Sequence, residues 1–222
     1  MINTLDDYIS HSLPRWGDFT TNPNLRKKVD NAGNLLPFLG NTVVFLLDDD
    51  AKEKLRQIQE SLYQAAPDML AKRLQMSTLH MTLHDLANGT PSQLELDDYM
   101  RYTQERVSQI LPGWKDAPPL RMKTTWLFNM VNTSIVLGLK PADEESWCRL
   151  DGLYTALEDV VHLGYALTPH ITMAYFLPGT YSSEQVQRLS VALRNVDLDI
   201  TLDMENLVLQ NFTDMNHYET VL

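Results

Sequence analysis

Leu79-His80-Met81-Thr82-Leu83 and Pro169-His170-Ile171-Thr172-Met173 carry one pattern twice: an apolar residue, histidine, apolar, threonine, apolar. In a β-strand alternate side chains share a face. His80 and Thr82 therefore point one way while Leu79, Met81 and Leu83 point toward a core. His170 and Thr172 stand likewise against Ile171 and Met173. With 6 His and 18 Thr in 222 residues, chance supplies about half of one His-x-Thr triplet, and apolar flanks reduce that to roughly 0.1.

The surroundings of the two motifs also repeat. Asn41-Thr42-Val43-Val44-Phe45-Leu46-Leu47 and Asn132-Thr133-Ser134-Ile135-Val136-Leu137-Gly138-Leu139 are β-rich apolar runs. Each is followed by a polar break, Asp48-Asp49-Asp50 or Lys140-Pro141-Ala142-Asp143, and then by an amphipathic helix. Leu55, Ile58 and Leu62 share a face in the first helix; Trp147, Leu150, Tyr154 and Leu157 do so in the second. Asp50 is the expected N-cap of the first, and Pro141 the expected start of the second. From Thr42 to His80 is 38 residues (80 − 42), and from Thr133 to His170 is 37 (170 − 133). Two strand–helix–strand units, about 41–86 and 132–177, thus predict an α+β, duplicated, two-lobed fold. Antiparallel sheets would flank a central groove, with helices outside.

Other segments fit around these units. Leu94 to Leu111 reads as a helix ended by Pro112-Gly113, and Pro118-Pro119 marks the connection between halves. Ser182 and Gln185 form a capping-box pattern. Asp197 to Met204 alternates strictly, which predicts a strand with one acidic wet face. Leu207-Val208-Leu209 and Tyr218 to Leu222 read as further strands. Residues 1–40, rich in Asn, Pro and Asp, read as an irregular N-terminal extension beside a single bilobal domain over 41–222.

Composition bounds the function. Hydrophobic residues make up 44% and charged residues 21%, and the formal net charge is -11. Such a charge repels long nucleic acid, whose binding depends on Lys and Arg against phosphates. A small nucleotide or short oligonucleotide phosphodiester remains a fitting partner. Arg26-Lys27-Lys28 and Arg121/Lys123 are short basic clusters, read as solvated surface. No apolar run is long enough for a membrane helix, and the acidic Met1–Asp7 is unlike a signal peptide. The single cysteine, Cys148, is expected to be a buried structural thiol in a helix. A cytoplasmic location is the expectation.

Bringing two imidazole-plus-hydroxyl faces together would build a cleft suited to phosphodiester chemistry. One imidazole takes a proton from the attacking oxygen and the other gives one to the leaving oxygen. The threonine hydroxyls donate to nonbridging oxygens. Paired strands of this kind resemble the 2H (two-histidine) phosphoesterase superfamily, which includes RNA 2′-5′ ligase-like proteins and cyclic nucleotide phosphodiesterases. The resemblance runs from about Asn41 to the C-terminus. It implies two lobes around a groove, His80 and His170 as the acid/base pair, and Thr82 and Thr172 as phosphate binders. No metal and no cofactor is implied. His170 is taken as base and His80 as acid. The implied activity is hydrolysis of a 2′,3′-cyclic phosphate, or of another small cyclic or 2′-5′ phosphodiester. The function from a different class is a non-catalytic nucleotide or RNA-end binding module on the same fold.

Secondary candidates are weaker. His84 continues the His80 face and is expected at the rim, with substrate contact as the second reading. Phe176 shares the expected face of His170 and Thr172 and could stack on a base, with a core or rim aromatic as the equal alternative. Trp126 has the same ambiguity. His80 with His84 lacks an obvious third ligand, so a closed zinc site is not expected. His11, His162 and His217 read as surface or capping residues.

Overall fold

The computed structural model describes residues 13–14, 17–91 and 95–222; His11, Leu94 and the acidic Met1–Asp7 lie outside this set. Ten strands and four α-helices follow in the order β1 (Phe19–Thr20), β2 (Leu39–Leu46), α1 (Asp49–Ala65), β3 (His80–Gly89), α2 (Leu96–Ile110), β4 (Leu120–Met130), β5 (Ser134–Pro141), α3 (Glu144–Glu158), β6 (His170–Tyr175), β7 (Thr180–Tyr181), α4 (Ser183–Ala192), β8 (Asp199–Leu202), β9 (Leu207–Asp214) and β10 (His217–Thr220). β1 and β7 form a small antiparallel pair. The other eight strands make one antiparallel sheet in the order β10-β9-β2-β3-β6-β5-β4-β8.

That order contains the duplication. β9-β2-β3 and β6-β5-β4 are two three-stranded halves joined back to back through β3 and β6. The two expected sheets are therefore halves of a continuous one. The join is narrow: Met81 opposite Ile171 is its registered pair, and both side chains are fully buried.

Each motif strand carries a β-bulge at the same place. Val43 opposes His84 while Val44 opposes Thr82, leaving Leu83 as an extra residue in β3. Ile135 opposes Ala174 while Val136 opposes Thr172, leaving Met173 extra in β6. Both bulges fall three residues after the motif histidine. A bulge shifts the side-chain alternation by one residue. Beyond it, the fifth residue after each histidine, Asp85 or Tyr175, regains the groove face.

The helices obey their sequence signals with shifted ends. Asp48 caps α1 by accepting from the Ala51 N–H at 2.7 Å, two residues before the expected Asp50. β5 runs through Pro141, and Asp143 caps α3 by accepting from the Ser146 N–H at 2.8 Å. The helix thus starts after the proline, not on it. Ser182 and Gln185 close the expected capping box of α4. Leu55, Ile58 and Leu62 of α1 and Leu150, Leu153, Tyr154 and Leu157 of α3 are buried. Cys148 is exposed on α3, which corrects its expected burial. Its neighbours Trp147 and Leu150 turn inward while position 148 falls outside the apolar stripe. Asp199 and Thr201 of β8 face solvent and Ile200 and Leu202 the core, as the alternation requires. None of the described helices is long and apolar enough to cross a membrane.

Among the first 40 residues, Phe19, Leu25, Val29 and Phe38 are buried in the main core. A 3₁₀ turn at Pro23–Lys27 is capped by Asn22. Asn22 also grips the β4–β5 hairpin tip, donating to the Val131 carbonyl at 3.2 Å.

Gly40 lies where backbones crowd. A Cβ there would collide with the Ala87 carbonyl oxygen and sit 2.6 Å from the Phe212 ring. Backbone cannot yield as a side-chain tip can. Gly40→Ala should therefore cost about 3 kcal/mol, the upper range for overpacking, and thermal denaturation should show Tm lower by roughly 6–12 °C for a chain of this size. An unchanged Tm would mean that β2 and β3 separate freely.

Candidate active site

The β3–β6 register decides which side chains meet. With Met81 opposite Ile171, antiparallel pairing sets His80 across from Thr172 and Thr82 across from His170. The four alternate with the buried Met81 and Ile171, so all lie on the opposite, groove-facing side. All four are half-buried and line one cavity of about 610 Å³. The sequence-predicted quartet is thus brought together by the strand pair that joins the lobes.

Both imidazoles are held in the same way. His80 Nδ1 lies 2.8 Å from the carbonyl oxygen of Thr78, and His170 Nδ1 lies 2.6 Å from that of Thr168. A carbonyl can only accept, so Nδ1 carries the hydrogen in each ring. Nε2 is left as the atom that gains or loses a proton. The Tyr218 ring meets His80 edge-on, with centroids 5.0 Å apart. Burial is the main cause that pushes His80 down to about 4, opposed by the Thr78 hydrogen bond and the Asp85 charge and assisted by nearby His170. His80 is thus a neutral ring with a bare Nε2 near pH 7.

His84 is not a rim residue, although it is among the residues that line the cavity. The Leu83 bulge turns it inward, and it is 1% exposed. Its Nδ1 lies 2.7 Å from the Asp85 carbonyl and its Nε2 3.1 Å from Glu158 Oε1. Both nitrogens are occupied, so His84 has none to offer a metal beside His80. Glu158, at the end of α3, also accepts from the Leu163 N–H at 3.1 Å and pairs with His162 at 2.8 Å. These bonds outweigh its desolvation and hold its carboxyl below the usual range. Tyr154 donates to the Tyr165 carbonyl at 2.6 Å. His84, Glu158 and Tyr154 thereby tether the loop from α3 to β6, whose residues Leu163 to Thr168 line the cavity.

Phe176 takes the core alternative of its two readings. The Met173 bulge turns it into the core, where it is fully buried and packs on Phe19 at 4.9 Å. Tyr175 takes the groove position instead. Trp126 packs in a satellite cluster with Phe128, Val136 and Met130 and does not line the cavity. His217 pairs with Asp214 at 2.7 Å on the surface. Among the described residues, no group of three or more His, Cys, Asp and Glu could hold a metal ion.

Asp85, Tyr175 and Lys28 are among the groove residues that escaped the sequence reading. Asp85 and Tyr175 were hidden by the bulges. Lys28 belongs to a basic cluster read as solvated surface, yet it is half-buried at the cavity wall. The spacing of five from each motif histidine was the available signal for the first two.

A conserved protein of unknown function from Agrobacterium tumefaciens str. C58 has a similar structure, with TM-score 0.66 and 19% identity over 99% of both chains. E. coli LigT in its apo form matches with TM-score 0.51 and 12% identity over 84% of this chain and 96% of LigT. A structure described as a phosphoesterase matches with TM-score 0.51 and 12% identity, covering 84% of this chain and 97% of its own. LigT is also known in complexes with ATP and with 3′-AMP. No protein-family model and no curated protein matches the chain. The fold is therefore the one shared by LigT and by the structure described as a phosphoesterase.

The low-lying His80 has a consequence for stability. The native ring stays neutral down to about pH 4, whereas an unfolded histidine takes up its proton near about pH 6.5. Between these values the unfolded state binds more protons, so stability falls as pH drops through the window. Urea midpoints should decline from pH 7 to pH 4, and His80→Asn should decline less. Parallel declines would show that His80 is not the source.

Proposed function

We propose that this protein is a phosphodiesterase that hydrolyses a 2′,3′-cyclic phosphate, or a related small cyclic or 2′-5′ phosphodiester, without a metal ion. The observation that supports it most is the pairing of the two His-x-Thr strands, with each imidazole held through Nδ1 and lining the groove. The complexes of LigT with ATP and 3′-AMP support a ligand of nucleotide size.

The chemistry follows from the groups. His80, neutral with a bare Nε2, is the proton acceptor. This exchanges the roles expected for the two histidines. Water gives a proton to His80 Nε2 as its oxygen bonds to phosphorus. The bond from phosphorus to the 2′ or 3′ oxygen breaks, and that oxygen takes a proton from His170 Nε2. His170 enters the step as the imidazolium and leaves it neutral, its Nδ1 hydrogen still donated to the Thr168 carbonyl. Thr82 and Thr172 donate to the nonbridging oxygens, where negative charge gathers. The ring of Tyr218 shields one side of His80 from water.

Turnover of a 2′,3′-cyclic nucleotide panel in EDTA tests this reading. Activity should survive EDTA, and His80→Ala or His170→Ala should each lower kcat by about 10²–10⁴-fold, the usual contribution of a positioned acid or base. Thr82→Ala and Thr172→Ala should each lower kcat/KM by roughly 10–100-fold, as expected for one hydrogen bond to a charged group. Binding without turnover would instead favour the nucleotide-binding module.

The pH profile tests His80 as the base. The acid limb of kcat/KM reports the free protein's base and should fall near pH 4. Asp85 favours the protonated ring, so Asp85→Asn should move that limb to lower pH. A limb that stays in place or rises would remove His80 from the role.

A further inference from the structure

The large groove is poor in cations. Among the described residues that line it, Lys28 is the one Lys or Arg. In a chain of net charge -11, a cation on the groove wall offsets locally the net field that opposes an anionic ligand. Lys28 is also held in place. Its N–H bonds to the Leu25 carbonyl at 2.9 Å and its carbonyl accepts from the Leu36 N–H at 2.8 Å. Its ammonium sits 4.8 Å from the centre of the Phe38 ring and 5.8 Å from that of Tyr175, within reach of a cation–π attraction. Beyond Lys28 the groove continues into a second cavity of about 270 Å³, lined by Asn24, Lys27, Lys28, Asn88, Asp85 and Phe212.

The position relative to the histidines narrows the ligand. Tyr175 is three residues past Thr172, roughly 10 Å along a strand at about 3.3 Å per residue, less the shortening at the bulge. The cation therefore stands about one nucleotide's breadth from the quartet. A nucleotide's 5′-phosphate projects from the side of the ribose opposite its 2′ and 3′ oxygens. With the reacting phosphate between the histidines, a 5′-phosphate would point along β6 toward Lys28.

The geometry points to a second phosphate subsite at Lys28, by which the protein prefers nucleotides carrying a 5′-phosphate in addition to the 2′,3′-ester. This rests on the phosphodiesterase reading for where the reacting phosphate sits. Lys28 supplies the charge, its aromatic neighbours fix its position, and Asn24 and Asn88 supply amide donors beyond it. Asp85 on the same wall disfavours the anion from one side and so keeps it toward the lysine.

Calorimetric titration of the full chain tests the subsite without requiring turnover. The probes are adenosine 2′,5′- and 3′,5′-bisphosphate against adenosine 2′- and 3′-monophosphate. The bisphosphates should bind roughly tenfold or more tightly than the monophosphates, the size of one charge-assisted contact. Lys28→Met should bring that ratio to about twofold or less, and Lys28→Arg, which keeps the charge, should retain it. Monophosphate binding by the Met variant reports an intact groove. A wild-type ratio near one, a preference that survives Lys28→Met, or no binding of any probe by wild type would overturn the subsite. Hydrolysis of a cyclic nucleotide by the same wild-type sample is scored separately. Turnover with no bisphosphate preference removes the subsite alone; bisphosphate preference with no turnover removes the phosphodiesterase reading alone.

Discussion

The pairing of β3 with β6 is the contact on which the rest of the molecule depends. Met81 and Ile171, both fully buried, meet across it. Two half-sheets become one sheet there, and the two motifs become one quartet. Because side chains alternate, a slip of one residue at this seam would send the histidine and threonine of the slipped strand into the core. Met81 and Ile171 belong in the core, and the histidines and threonines do not, so the hydrophobic pattern enforces the register. Polar contacts from the helices brace it from below. Gln59 of α1 donates to the carbonyl of Met173, the bulge residue of β6, at 3.1 Å. Glu158 of α3 reaches His84, beside the bulge of β3. Each lobe's helix thus supports the other lobe's motif strand.

The paired bulges turn a flat polar strip into a walled groove. Without them, His84 and Ala174 would follow the threonines onto the wet face. With them, both residues are buried, His84 still among those lining the cavity, and Asp85 and Tyr175 join the groove wall. The two strands are thereby alike up to the threonine and differ beyond it. One wall ends in a carboxylate and the other in an aromatic ring. That asymmetry sets the histidines apart as well, since the Asp85 charge acts on His80. A symmetric scaffold so presents a polar substrate with two distinguishable ends.

The early segment completes the groove. Residues that read as irregular and without function bury Phe19, Leu25 and Phe38 in the core. They then place Lys28 against Phe38 and Tyr175. A chain this acidic gains little from scattered surface lysines, which salt screens. A half-buried cation on a groove wall is screened less and acts in a particular direction. On the proposed function, charge position, more than net charge, would separate a small phosphorylated ligand from a long nucleic acid.

The sequence by itself determined the local features. Alternation placed His80 and Thr82, and His170 and Thr172, on single faces; the matched intervals implied duplication; and amphipathic spacing located α1 and α3. Each of these depends on residues close in the chain, where period and propensity act directly. Only the tertiary structure decided the rest. Nothing local marks Leu83 or Met173 as a bulge, because the extra residue is defined by a partner strand. The burial of His84 depends on Glu158, and the groove position of Lys28 depends on rings at positions 38 and 175. Such contacts arise from packing between distant segments, and local periodicity carries no record of them.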